Sequence, residues 1–186
     1  MHRTAVGYCG GETPDPSYRK VCNNEDYADY AEAVTIDFDP AVISYEGILD
    51  AFFRCHDAAA GGRSRQYASI IFAHDESQLA AANKAVAERP GVKTTVEEAV
   101  GERGLFWVAE AYHQKWLLQR KRPLFLALGM MEREELLGPA ATTLNAVAAA
   151  KLPGRLALGR LEMLMERGEG PTPAAHGAIS ALLDPF

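Results

Sequence analysis

Ala31-Glu32-Ala33-Val34-Thr35-Ile36-Asp37-Phe38-Asp39-Pro40, followed by Ser44-Tyr45-Glu46-Gly47-Ile48-Leu49-Asp50-Ala51-Phe52-Phe53, is the stretch on which the fold class turns. Val34, Ile36 and Phe38 alternate with Thr35 and Asp37, the period of two of a half-buried strand, and Asp39-Pro40 closes the run. From Ser44, an N-cap residue, the apolar side chains of Ile48, Leu49, Phe52 and Phe53 fall on one helix face. A strand that hands over so quickly to an amphipathic helix places helices on a sheet.

The neighbouring segments extend the pattern. Upstream, Thr4 to Tyr8 alternates weakly as a strand and stops at Gly10-Gly11. Two prolines stiffen the loop Glu12-Thr13-Pro14-Asp15-Pro16-Ser17-Tyr18, so Tyr18 leaves a rigid segment, and Asn23 to Asp29 is irregular. Downstream, Tyr67 to His74 reads as a strand, and Asp75-Glu76-Ser77-Gln78 opens a helix through Arg89 with Leu79, Ala82 and Val86 as its buried stripe. A strand at Val92 to Val96 and a helix from Val108 to Arg122, ended by Pro123, complete the series. The class expected is α/β (α+β): a two-layer sandwich of helices on a mixed sheet. Residues 1–122 form this domain. Residues 123–186 form a helical extension of two or three short helices, punctuated at Gly138-Pro139, Pro153-Gly154 and Gly170-Pro171.

Composition narrows the function. With 186 residues, 48% of them hydrophobic, the chain can bury a core of useful size. Nineteen basic against 25 acidic residues give a net charge of −6, which offers nothing to nucleic acid or anionic lipid. The longest apolar runs, near Leu124 to Met131 and Ala146 to Ala150, are too short to span a bilayer. Cys9, Cys22 and Cys55 make an odd, sparse set that points to a reducing compartment, with the cytoplasm as the default location. The five histidines lack metal-ligand spacing, and there is no phosphate loop, nucleophile elbow or CxxC. Neither cofactor nor metal is expected.

Three residues stand out by chemistry. Glu32 shares the even parity of Val34, Ile36 and Phe38, so its carboxyl is expected on the apolar face, where partial burial suits a proton donor. Tyr18 and Tyr67 could each present a phenol to a polar ligand. On spacing alone Glu32 could equally sit at a frayed strand end, and the tyrosines could simply pack. His56 and Asp57 end a helix and read as caps. His113 reads as the partner of a carboxylate.

Taken together, these segments resemble one family. Gly7-Tyr8-Cys9-Gly10-Gly11, Thr13-Pro14-Asp15-Pro16-Ser17-Tyr18 and Val21-Cys22 look like the "GYxGGxTxxPTYxxVC" stretch of the class A peptide-methionine (S)-sulfoxide reductases. Ala31-Glu32-Ala33-Val34 is similar to "HAExV", with Tyr30 in place of the usual histidine, and Asp39-Pro40 with Ile43-Ser44-Tyr45-Glu46 to "DPxxISYExLL". Phe52-Phe53 with His56-Asp57 resembles "FFxxHD", Gln66-Tyr67 to Phe72 "TQYRSAIF", and Phe106-Trp107 through Gln114 "FYxAExYHQ". The likeness runs in family order from about Val6 to Gln119.

The resemblance implies a ferredoxin-like core and reduction of methionine-S-sulfoxide, free or in proteins, as repair of oxidative damage. A thiolate attacks the sulfoxide sulfur, methionine leaves, and thioredoxin or another thiol clears the sulfenic acid. By resemblance Glu32 is the acid, and Tyr18 and Tyr67 bind the sulfoxide oxygen. The family nucleophile lies in a "GCFWG" turn ahead of the glycine–tyrosine strand, where this sequence has only its first few residues. None of Cys9, Cys22 and Cys55 aligns with it. The expectation is therefore an N-terminally incomplete domain lacking its first strand and helix, inactive alone. Two rival readings are a non-catalytic remnant acting as a binding module, favoured by Gly62 where the family has aspartate, and a substitute nucleophile at Cys9 or Cys22.

Overall fold

The computed structural model describes residues 2–23, 25–129 and 132–183. The chain forms two compact units, Val6–Ala109 and a second made of His2–Ala5 with the residues from Glu110 onward. That division falls ahead of the Pro123 boundary read from composition. Met130, Met131 and Asp184 to Phe186 of the expected extension lie outside the described residues.

In chain order the first unit runs β1 (Arg3–Cys9, its first residues belonging to the second unit), α1 (Tyr18–Asn23), β2 (Ala31–Asp37), α2 (Tyr45–Cys55), β3 (Ile70–Ala73), α3 (Glu76–Ala87), β4 (Thr95–Glu98) and β5 (Trp107–Val108). One sheet has the order β2-β1-β5, with Gly7 opposite Val108 and Tyr8 opposite Trp107 in antiparallel register. The other pairs β3 with β4 in parallel, from Ile70 opposite Thr95 to Ala73 opposite Glu98. Both pairing senses of a mixed sheet are thus present, in two ladders, and the class is mixed α+β.

The helix starts follow the side chains read as caps. Ser44 accepts from the Gly47 amide at 3.2 Å, and Asp75 accepts from the Gln78 amide at 2.8 Å. The apolar stripe of α2 then buries Leu49 against Ile71, Ala82 and Ala85, with Phe52, Phe53, Val86 and Val96 around them. Leu49 and Ile71 each contribute about 1.5–3 kcal/mol on burial. A separate cluster joins Tyr8, Val21, Tyr27, Tyr30 and Ala109.

Three segments differ from expectation. Tyr67 does not open a strand; it closes a 3-10 turn, Arg65–Tyr67, and β3 begins only at Ile70. The strand expected over Val92 to Val96 runs instead from Thr95 to Glu98, because the backbone reaches its parallel partner only at Thr95. The helix expected from Val108 to Arg122 is broken. Trp107–Val108 pairs with β1, Ala111–His113 is a 3-10 turn, and Lys115 adopts a left-handed φ of 50°. Only α4 (Trp116–Arg120) remains of it. Pro123 opens rather than stops a helix, because a residue without an N–H loses nothing in a first turn: it lies there in α5 (Arg122–Leu128).

The second unit continues with α6 (Arg133–Leu136), α7 (Pro139–Ala148), α8 (Gly154–Glu166) and α9 (Pro173–Leu183); α7 and α8 start at the Gly138-Pro139 and Pro153-Gly154 pairs, and α9 two residues after Gly170-Pro171. Leu118, Leu124, Leu128, Ala140, Ala141, Leu144, Leu161, Leu164 and Ile179 make its core. Lys115 is buried, and its ammonium donates to the Thr4 carbonyl at 2.7 Å. No helix among the described residues is long and apolar enough to cross a membrane.

Candidate functional site

The proline loop is fixed before it delivers Tyr18. The Thr13 hydroxyl donates to the Asp26 carbonyl at 2.7 Å, the Tyr30 hydroxyl to the Thr13 carbonyl at 2.7 Å, and the Tyr27 hydroxyl to the Pro14 carbonyl at 3.1 Å. Tyr30, 1% exposed, lies against Gly11 so closely that a Cβ there would come within 2.3 Å of the ring. Only glycine admits this approach. The tyrosine in the histidine position of the family motif is therefore a structural staple.

Tyr18 begins α1, and Cys22 lies one turn on, where positions four apart are neighbours. The Tyr18 phenol and the Cys22 thiol share a hydrogen bond. A second segment arrives through the turn Arg65–Tyr67. Arg65 pins it, with Nε donating to the Asp29 carbonyl at 3.0 Å and its two terminal nitrogens to Glu97 at 2.5 and 2.7 Å. The planar guanidinium matches a carboxylate in this paired fashion. Gln66 Nε2 donates to Glu32 Oε1 at 2.8 Å and to Cys22 Sγ at 3.1 Å. Tyr67 follows immediately.

Tyr18, Glu32 and Tyr67, from three separate segments, thus come together around Cys22 and Gln66. The electrostatics register the proximity. Negative charge on Cys22 and its hydrogen bond push the Tyr18 phenol above its usual range, with Tyr67 and Glu32 adding to the effect. The Glu32 carboxylate is the main cause of an upward shift at Tyr67, ahead of slight desolvation and Cys22. Both phenols therefore hold their protons at neutral pH and can donate to an oxygen acceptor.

One expectation requires correction. Glu32 does share its face with Val34, but that face is open: Glu32 is exposed and Val34 is 56% exposed. The apolar hollow expected around the carboxyl is absent among the described residues. Alternation gives the parity of a strand; whether a face is covered depends on what packs over it. Tyr18 and Tyr67 are likewise surface residues, 43% and 58% exposed.

The three thiols differ sharply. Cys9 is 4% exposed, its Sγ donates to the Arg103 carbonyl at 3.6 Å, and burial pushes its thiol pKa up. Cys55 is exposed at the end of α2. Cys22 borders the cluster, yet its neighbours there are two phenols, an amide and a carboxylate. The cation that activates a cysteine nucleophile is not among them. His56 caps α2 through Nδ1 to the Phe52 carbonyl at 2.9 Å, while Nε2 meets Ser69 at 2.8 Å. His113 lies 3.9 Å from Glu110. No group of three or more His, Cys, Asp or Glu among the described residues is placed to hold a metal. At Gly62 a Cβ would lie 2.2 Å from the Tyr67 carbonyl oxygen, so the backbone beside Tyr67 takes no side chain at that position.

Arg65 and Gln66 were not among the residues singled out by sequence, although Gln66 belongs to the Gln-Tyr pair of the quoted motif. A glutamine has no titration or nucleophilicity to draw notice. Only the meeting of distant segments shows what it touches.

A family model described as peptide methionine sulfoxide reductase matches residues 1–136. A peptide methionine sulfoxide reductase of Methanosarcina acetivorans is 40% identical over 121 residues, which cover 61% of this chain and 63% of that protein. Another, of Drosophila melanogaster, is 36% identical over 150 residues, covering 79% and 58%. Among solved structures, methionine sulfoxide reductase A of Corynebacterium diphtheriae superposes with a TM-score of 0.53 at 25% identity over 64% of each chain. The matches span about three fifths of the length of these relatives.

Proposed function

Because this chain belongs to the peptide methionine sulfoxide reductase family, we propose that it carries the oxygen-binding half of the site that reduces methionine-S-sulfoxide. Glu32, whose carboxyl is open to solvent and draws its proton from there, passes that proton to the sulfoxide oxygen, and the Tyr18 and Tyr67 phenols hydrogen-bond to it. Oxygen leaves sulfur readily only when protonated, so an acid flanked by neutral donors is what the step requires. The observation that carries this reading is the convergence of those three groups from segments far apart in sequence, with both phenols held in the donor form. Burial argues against Cys9 as the attacking thiol and its surroundings argue against Cys22, while Cys55 lies on α2 and does not align with the family nucleophile. The resulting sulfenic acid is cleared by thioredoxin or another thiol.

The test has two arms. Titration of the isotope-labelled chain with N-acetyl-methionine-S-sulfoxide should shift the resonances of Tyr18, Glu32 and Tyr67, and N-acetylmethionine, which lacks the oxygen, should not. Equal responses to both would remove the oxygen from the reading. With dithiothreitol, the chain alone should turn over negligible sulfoxide. Clear turnover abolished by Cys22→Ser would make Cys22 the nucleophile.

A second reading, of a module that binds methionine sulfoxide without reducing it, is supported by Gly62, where the backbone of Tyr67 leaves no space for the acidic side chain of the family motif. Binding in the first arm, together with no turnover when a thiol-bearing family segment is supplied, would select it.

A further inference from the structure

We infer that Gln66 is a positioning residue that fixes the Glu32 carboxyl relative to the two phenols and thereby sets the preference of the site for one sulfoxide epimer. This rests on the functional reading above. A single amide nitrogen touches the segments that carry the reacting groups: it donates to Glu32 on β2 and to Cys22 on α1, and it hangs from the same turn as Tyr67.

The chemistry of the amide makes the arrangement directional. The –NH2 group has two hydrogens, and both are taken, one by Oε1 of Glu32 and one by Sγ of Cys22. Turning the amide over would set its carbonyl oxygen against Oε1 of Glu32, an acceptor whether the carboxyl is ionised or carries its proton on Oε2, so the orientation is set by the carboxyl. The support beneath is rigid, because Arg65 anchors the turn to Glu97 and to the Asp29 carbonyl. Glu32 itself is exposed, on an open sheet face, and nothing but this bond fixes its rotamer among the described residues. With Oε1 engaged, Oε2 is the oxygen left to face a ligand. A held carboxyl and two phenols define three directions around the sulfoxide oxygen. Since sulfoxide sulfur is a stereocentre, that geometry can favour one hand; a freely rotating carboxyl cannot.

The experiment measures dissociation constants of the chain for the S and R epimers of N-acetylmethionine sulfoxide, and for the thioether N-acetylmethionine, in the wild type and in Gln66→Leu. The wild type should prefer the S epimer. Gln66→Leu should weaken S binding about five- to tenfold, the range for loss of one hydrogen bond, leave R and thioether binding unchanged, and so bring the epimer ratio close to one. Urea midpoints of the two proteins should agree. If Gln66→Leu keeps the wild-type preference, the inference about Gln66 is wrong while the functional reading stands. If S, R and thioether binding fall together, Gln66 merely supports the fold and the inference is overturned. If the wild type binds neither epimer, the functional reading fails and takes this one with it.

Discussion

Lys115 offers a perturbation whose size can be worked from the structure. Its side chain is buried, 6% exposed, with the ammonium on the Thr4 carbonyl at 2.7 Å, and desolvation pushes its pKa down from 10.5 to about 8. A depressed lysine pKa means that the unfolded chain binds more protons than the folded one between about pH 8 and 10.5. Stability therefore rises with pH across that window, and below it the folded state bears the whole penalty of a buried charge. The separation of the two pKa values corresponds to about 3 kcal/mol at neutral pH. Lys115→Met removes the penalty and loses one hydrogen bond, worth about 1 kcal/mol. The variant should thus be about 2 kcal/mol more stable than wild type at pH 7.5. That advantage should shrink by up to about 1.4 kcal/mol per pH unit above pH 8.5 and reverse near pH 10. Urea unfolding followed by Trp116 fluorescence in a Trp107→Phe background, at several pH values with reductant present, reads the difference. A Lys115→Met advantage that is independent of pH would refute the desolvation argument, and a less stable variant at pH 7.5 would show that the hydrogen bond outweighs the charge.

Two further outcomes follow from the supports of the site. Tyr30→Phe deletes the part-buried bond to the Thr13 carbonyl, so the urea midpoint should fall by the equivalent of about 1 kcal/mol; no change would mean that ring packing alone holds the loop. Arg65→Leu leaves Glu97 without the guanidinium that holds its carboxyl below the usual range. A depressed carboxylate stabilises above its unfolded pKa and stops doing so as pH falls through the folded value, so the cost of the substitution should be largest at neutral pH and fade below about pH 4. A cost that persists unchanged at low pH would assign Arg65 a packing role instead.

How much of this could be read from the chain depended on the range of the forces involved. Ser44 and Asp75 announce α2 and α3 because a cap acts within one turn. The alternation of Val34, Thr35 and Ile36 announces β2 because pleating is local. What misled was information from further away. Tyr67 belongs to an apolar run that looks like one strand, yet Arg65 draws its start into a turn through a carboxylate more than thirty residues on. Val108 to Arg122 is rich in helix formers, but pairing of Trp107–Val108 with β1 and the backbone reversal at Lys115 divide it. Glu32 and Val34 share the face that parity assigns, whereas solvent on that face follows from what lies above it. Glu32, Tyr18 and Tyr67 could be named by chemistry and by family likeness; that one amide ties their segments together could not.

The 3-10 turn at Arg65–Tyr67 has a consequence for how this chain tolerates change. With three residues per revolution, successive side chains leave such a turn about 120° apart, so anchor, bridge and phenol occupy its three directions with none to spare. Slippage of the register by a single step would turn the guanidinium into the bridge's direction and swing the phenol into the anchor's place. A change within the triplet itself would thus scramble all three roles at once, and Gly62, set against the Tyr67 backbone, ties the approach to the turn as well.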